Sequence, residues 1–453
     1  MGRIARSLFA WQNRTAEVRA MWEKLMKPIT QYRGLPRPVY VLFFSRMVNA
    51  LGMFVGPMMT LILTVKIGFS SSLSGILITV ATLGSGLGLA VGGKLADHFG
   101  RKRTMLLFQG LAALLYLACG FLTPADSAQT LQNGIPIVVL LMASPLIGAI
   151  SQPAAEAMTM DLTEPKNRKE SFSLIYMGFN LGFAVGPTLA GLLFLHDLRW
   201  VFAGDAITTL ISLVLIAVFI PDTKPQAADS GSMEGRELEK AVVGSVWKVL
   251  RERPILPIFA LIYALYQFCY SQWGFLLPLQ MNSLFGADGA RNHGLLGSLN
   301  GIIVIALTPV LLHWMKKMRP LYAISLGGAL FTLSFFLFGW FDVFRLFPPF
   351  LLGMFVFTVA EIVVTVLMPV FIADQTPSSH RGRISASISL IAGVGWSLGF
   401  AVMGFVNDAV GIRVSWNIVS AVMALAVIAM LLLRRLEGSR EKEKGADIVS
   451  SEE

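Results

Sequence analysis

Four ionisable residues, Arg46, Glu156, Asp205 and Glu361, stand within long apolar runs of this 453-residue chain. A charge there is expensive, so each is a candidate for function. Glu361 is the most isolated, mid-run with no Lys or Arg in its own stretch. Burial disfavours the charged form of a carboxylate. One that meets water from each side in turn can load and release a proton, and Glu361 is the first candidate for this, Glu156 the second. Asn49 follows Arg46 by three residues and shares its helical face. Gln152 lies one turn from Glu156. An Arg46–Glu156 pair would act as a brace or as an anchor for a bound molecule. Asp205, at the start of its run, reads as an interfacial carboxylate.

A second cluster is compact. Residues 93–103 read GKLADHFGRKR. Gly93 permits close packing and Gly100 a tight turn. Arg101, Lys102 and Arg103 hold that turn at a polar face, and Asp97 needs a partner at this depth.

The elements that position these residues follow from composition. Apolar residues make up 55% of the chain and charged ones only 14%, with mean hydropathy +0.67. A soluble protein carries about a quarter charged residues, so lipid is the solvent. At about 20 residues per crossing, twelve spans are predicted at 39–65, 72–96, 103–123, 135–160, 169–195, 200–220, 255–284, 294–315, 320–341, 347–373, 383–407 and 411–434. With both termini cytoplasmic, the inner segments hold 31 of the 37 Lys and Arg, and the outer loops hold five. This asymmetry fixes the orientation and accounts for the net charge of +10 without nucleic acid as a partner. Cys119 and Cys269 both fall in predicted spans, which excludes a disulfide framework or a Cys-rich metal site. No P-loop signature is present, so a gradient and not ATP would supply energy. No cofactor and no enzymatic activity are expected.

The chain repeats itself. Asp161, Arg168, Gly182, Gly186 and Gly191 recur as Asp374, Arg381, Gly395, Gly399 and Gly404 at a constant offset of 213. Two six-helix halves follow, 39–220 and 255–434. An amphipathic segment (1–38) precedes them and is expected along the cytoplasmic membrane surface. A polar connector (221–254) with a short amphipathic helix joins them, and a disordered charged tail (435–453) ends the chain. Asp161, Arg168, Asp374 and Arg381 fall at the inner ends of spans four and ten and the loops that follow. With Gly93, Asp97, Gly100 and Arg101 they are expected to form an inner gate. Arg46, Asn49, Gln152, Asn180, Tyr270, Trp273 and Glu361 are expected to line a central cavity, with Gln267, Gln280, Asn300 and Trp396 as further candidates.

The string 93–103 resembles the most diagnostic motif of the major facilitator superfamily. Residues 178–191, GFNLGFAVGPTLAG, are similar to the helix-five motif of its proton-linked drug antiporters, with Gly182, Gly186, Pro187 and Gly191 at the marking positions. FFSRMVNALGMFVGPMM (43–59) and the stretch 360–385 strengthen a resemblance to the twelve-helix drug:proton antiporter branch. The resemblance implies an all-α membrane fold of two pseudo-symmetric six-helix bundles. It also implies alternating access, and an Asp97 that faces the start of helix eleven as a latch. It implies proton-coupled efflux of small amphipathic or hydrophobic molecules, by a monomer in the plasma or bacterial inner membrane, with protons and lipids as its other partners. Symport or uniport of a polar solute is the alternative, as is a lipid-handling or non-transporting protein on the same fold. Two departures stand out. HWMKKMRP (313–320) lacks the Asp of its counterpart, and span four lacks the intramembrane Arg of many such antiporters.

Overall fold

The computed structural model describes residues 32–124, 134–164, 167–222, 254–315, 318–376 and 381–452. Among these the chain is helical, without strands. Ten stretches are long and apolar enough to cross a membrane. Two of them, Ile255–Met315 and Ile384–Leu436, are each long enough for two crossings. Each is broken by a glycine: Gly286 at φ 55° and Gly411 at φ 79°. Only glycine adopts positive φ without strain, so these two positions turn the chain back.

Divided there, the helices are α1 (Arg37–Lys66), α2 (Ser71–Phe99), α3 (Arg101–Leu122), α4 (Ile135–Asp161), α5 (Glu170–His196) and α6 (Leu198–Phe219). The second half holds α7 (Ile255–Tyr270, resuming over Leu276–Phe285), α8 (Gly289–Met315), α9 (Pro320–Phe341), α10 (Pro348–Gln375), α11 (381–410) and α12 (412–452). Most of the 1–38 segment and of the 221–254 connector lies outside the described residues. Helical backbone continues to Glu452. This departs from the disordered tail expected after 434, and its Arg, Glu and Lys residues at 440–444 are strong helix formers.

Phe121 is 82% exposed, and Leu87 and Trp314 are each 71% exposed. Such side chains belong on a lipid-facing surface. Inside, the largest buried side chains concentrate in the second half, where Phe259, Phe335, Phe338, Phe350, Phe357, Phe371 and Trp416 are all but inaccessible. Trp416 stacks on Phe335 at 5.8 Å. Its Nε1–H donates to Gln280 Oε1 at 2.8 Å, and Gln280 Nε2 donates to the Phe338 carbonyl at 2.8 Å. Gln280 therefore belongs to the core of its bundle, not to the central cavity.

The repeat reappears as contacts. On α5, Gly182 and Gly186 lie against the α1 backbone at Met47, Ala50 and Leu51, and Gly191 lies against Ala290 of α8. On α11, Gly395 and Gly399 lie against α7 at Ala264 and Phe268, and Gly404 lies against Ser71 of α2. The positions 213 apart, Pro187 and Phe400, are each met by a glycine of the other half, Gly294 and Gly75. A Cβ at any of these glycines would collide with backbone, so only small residues allow this approach.

Replacing Gln280 by Leu should leave the Trp416 N–H buried and unpaired, at a cost of about 1–3 kcal/mol. The expected result is a lower thermal unfolding midpoint in detergent; an unchanged midpoint would contradict the assignment.

Candidate functional site

Breaks in the spanning helices set the site. In lipid, backbone groups freed by a break must be satisfied from within the protein. Helix α1 breaks between Leu51 and Val55, and the Asp205 carboxylate on α6 accepts from the N–H groups of Phe54 and Val55, both at 3.0 Å. Asp205 is buried. It is thus a cap for the second part of α1 and not the interfacial carboxylate expected. Helix α7 breaks at the matching place, through a 3-10 turn at Ser271–Trp273. That turn carries Trp273, and Tyr270 ends the helix before it.

Tyr270 Oη donates to Glu361 Oε1 at 2.6 Å, and Asn300 Nδ2 donates to Glu361 Oε2 at 2.5 Å. Asn300 Nδ2 also reaches Thr358 Oγ1 at 3.0 Å. Glu361 of α10 is therefore held by α7 and α8 together. These partners suit either form of the carboxyl group. Ionised, it accepts from both; protonated, it can donate to the Tyr270 oxygen or to the Asn300 carbonyl after an amide flip.

Aromatic rings surround this group. Tyr270 lies 5.5 Å from Phe357, stacked, 5.4 Å from Trp396 and 5.7 Å from Phe331. A row of rings then crosses between the halves: Phe357 to Trp273 at 6.4 Å, Trp273 to Phe183 at 6.4 Å, and Phe183 to Phe179 at 5.9 Å. At its far end the Arg46 guanidinium sits over the Phe179 ring at 5.1 Å, an arrangement that attracts a cation to the ring face. A cleft of about 240 Å³ opens beside these groups, lined by Tyr263, Gln267, Ser389, Ala392, Gly393 and Trp396.

Among the described residues no ion pair joins Arg46 to Glu156. Glu156 is exposed one turn from the exposed Gln152, and its charge acts on Arg46 through space without a direct ion pair. Asn49 donates to Thr209 Oγ1 at 3.0 Å, and Asn180 donates to the Tyr176 carbonyl at 2.9 Å. Asn49 thus ties α1 to α6, while Asn180 bonds back along its own helix. Gln267, whose Nε2 donates to Tyr263 Oη at 2.8 Å, does line the cleft.

The halves meet at the end of the bundle away from 93–103. There Thr79 Oγ1 donates to the Ser397 carbonyl at 2.7 Å, Thr60 Oγ1 to the Gly274 carbonyl at 2.9 Å, and the Thr188 and Ser298 hydroxyls lie 2.7 Å apart. At the motif end, among the described residues, the contacts of the motif are within the first half. Arg101 pairs with Asp161 at 3.0 Å and with Asp97 at 3.9 Å, where the Asp97 side chain is 74% exposed and that of Arg101 only 11%. Among the described residues Asp97 makes no contact with α11, so the latch expected there is not seen in this conformation. A Cβ on Gly93 would meet nothing within 4 Å, while Gly100 turns the chain at φ 92°. Lys102 Nζ donates to the Ala217 and Ile220 carbonyls at the end of α6, at 2.7 and 2.6 Å. Arg168 turns to the Thr163 carbonyl at 3.4 Å and not to Asp161. Asp374 is exposed at the end of α10, and the Arg381 side chain lies outside the described residues.

The Major Facilitator Superfamily profile matches residues 42–364. The chain belongs to this family of membrane transporters and is a multi-pass membrane protein. It is 26% identical over 355 residues to a Na(+), Li(+), K(+)/H(+) antiporter of Planococcus maritimus, covering 71% of this chain and 78% of that protein. It is 25% identical over 309 residues to the multidrug resistance protein MdtH of Klebsiella pneumoniae, covering 67% and 70%. Among solved structures, the nucleoside transporter NupG superposes with a TM-score of 0.70 at 13% identity, covering 86% of this chain and 99% of that one. A POT family transporter superposes at 0.67 with 15% identity, covering 88% and 96%. These two likenesses establish the fold.

Asp205→Ala should leave two N–H groups at the α1 break without an acceptor, at a cost of about 1–2 kcal/mol. The thermal midpoint should fall, and Asp205→Asn, which keeps one acceptor, should fall less. Equal midpoints for all three proteins would remove Asp205 from this role.

Proposed function

We propose that this protein exports small amphipathic or hydrophobic compounds in exchange for protons, by alternating access between its two halves. The observation that carries this reading is Glu361, a carboxylate midway along α10, held by Tyr270 and Asn300 beside an aromatic-lined cleft. The residues around it divide the work. Tyr270 and Asn300 hold the carboxyl group in either protonation state. Trp396, Phe331 and Phe357 offer flat apolar surface that accepts varied shapes. Proton and substrate compete for one region: a cargo seated against the rings favours loss of the proton, and a returning proton favours loss of the cargo. The similarity to MdtH supports an efflux role.

With the Lys- and Arg-rich end as cytoplasmic, the conformation described faces inward, its far seam closed and its motif end open. Gly93, Asp97, Gly100, Arg101, Asp161, Arg168, Asp374 and Arg381 form the inner gate in this reading. Glu156 and Arg46 face the same central space from the first half and set the charge that an entering molecule meets. A second reading, exchange of alkali cations for protons, is favoured by the similarity to the Planococcus maritimus antiporter.

The test is transport in proteoliposomes with an imposed pH gradient. Wild type should accumulate a lipophilic dye such as ethidium against its gradient. Glu361→Gln should lower gradient-driven accumulation by at least about tenfold, in line with a single general acid–base group, while dye equilibration down its own gradient persists. Undiminished pH-driven transport in Glu361→Gln would overturn the coupling assignment. Dissipation of the pH gradient by Na+, Li+ or K+, with no response to dye, would favour cation exchange.

A further inference from the structure

At the closed seam, α2 and α11 run antiparallel, with Gly404 against Ser71, Phe400 against Gly75 and Ser397 against Thr79. The first N–H groups of any helix have no acceptor within it. On α2 these acceptors come from the other half of the molecule. Asp408, near the end of α11, accepts from the N–H groups of Ser71 and Ser72 at 3.1 and 2.7 Å, and also from the Ser72 hydroxyl. Asn407 Nδ2 donates to Ser71 Oγ at 3.0 Å. The third group, Leu73 N–H, is taken by Ser70 Oγ at 3.2 Å. A carboxylate thus sits on the positive end of a 29-residue helix that belongs to the opposite half.

The register carries this further. Continued residue for residue along both helices, the pairing of Ser71 with Gly404 brings Asp97 level with position 378, three residues before α11 starts at Arg381, much as it brings Asp408 level with position 67, four residues before α2 starts at Ser71. Asp97 stands two residues before the end of α2, as Asp408 stands three before the break at Gly411. Each helix therefore ends in a carboxylate placed to cap the first turn of the other, at opposite ends of the seam. In this conformation the Asp408 cap is made, while Asp97 is 74% exposed and, among the described residues, pairs within its own half.

We propose that Asp408 is a gating residue, the far-end partner of Asp97 in a two-ended latch. When the far end closes, Asp408 caps α2; when the halves rock and the motif end closes, Asp97 caps α11 and the Asp408 cap is lost. The two carboxylates bias one equilibrium in opposite directions.

Double electron–electron resonance between nitroxides at Phe121 and Val343 tests this. Both are exposed, on opposite halves, near the far ends of α3 and α9, and the native Cys119 and Cys269 are buried. In detergent, Asp408→Ala should raise the ratio of far-end-open to far-end-closed molecules about tenfold, equivalent to about 1.4 kcal/mol. Adding Asp97→Ala to that variant should move the ratio back toward wild type. A distance distribution for Asp408→Ala that superimposes on wild type would overturn the proposal, as would a double variant that opens further. Should Asp408→Ala fail to fold, Asp408→Asn keeps an acceptor without the charge, and a smaller shift in the same direction is expected; no shift would again overturn it. The measurement uses neither substrate nor proton gradient, so its outcome is independent of the export reading.

Discussion

Two helices approach until backbone meets backbone only where a side chain is missing from the contact, and the seam between the halves depends on that fact. Gly75 and Gly404 set the distance between α2 and α11, and Gly191 and Gly294 set it between α5 and α8. Lipid supplies no hydrophobic drive for helices to associate, so close packing and hydrogen bonds carry the contact. Once the backbones are this near, short hydroxyl side chains such as Thr79, Thr188 and Ser298 can reach across. The same closeness lets Asp408 reach the first turn of α2. Because these contacts occupy one end of the bundle, they hold that end shut in this conformation and leave the other end free to part.

The central site has a different logic. Glu361, Tyr270 and Asn300 belong to three helices of the second half, so the carboxyl group is fixed within one rigid body. The ring row, by contrast, spans both halves, with Trp273 on one side and Phe183 on the other. Rocking the halves would leave the Glu361 hydrogen bonds intact while changing the ring contacts that join the two walls. Proton chemistry and shape change are thereby assigned to separate sets of atoms, joined through Tyr270, which belongs to both.

Much of this was legible in the sequence, for physical reasons. Span positions followed from the length a bilayer demands, and the observed helices begin and end within a few residues of them, except that α12 continues past its predicted end at 434 to Glu452. The offset of 213 followed from glycines that cannot be replaced without collision, and it reappears as matched contacts. Glu361 stood out because no cation shares its run. What failed depended on which way helices face. Arg46 and Glu156 looked like a direct ion pair on depth alone, yet the Arg46 guanidinium rests on the Phe179 ring and feels Glu156 only through space. Asp205 looked incidental because nothing local announces that α1 breaks at 52–54, where its acceptors are needed. Asp408 passed unnoticed because topology is read from cations, and a lone carboxylate near a span end carries no weight in that count.

One small feature at the motif end reaches further than its size suggests. Lys102 holds the last carbonyls of α6 at Ala217 and Ile220, and Arg103 pairs with Asp222 at 3.7 Å. The chain that joins the two halves leaves the first half at this point. The α2–α3 turn and the root of the connector are therefore fastened to one another, like a hinge pin and its strap. A shift of the α6 end at Ala217–Asp222 is thereby shared with the turn that holds Asp97 and Arg101.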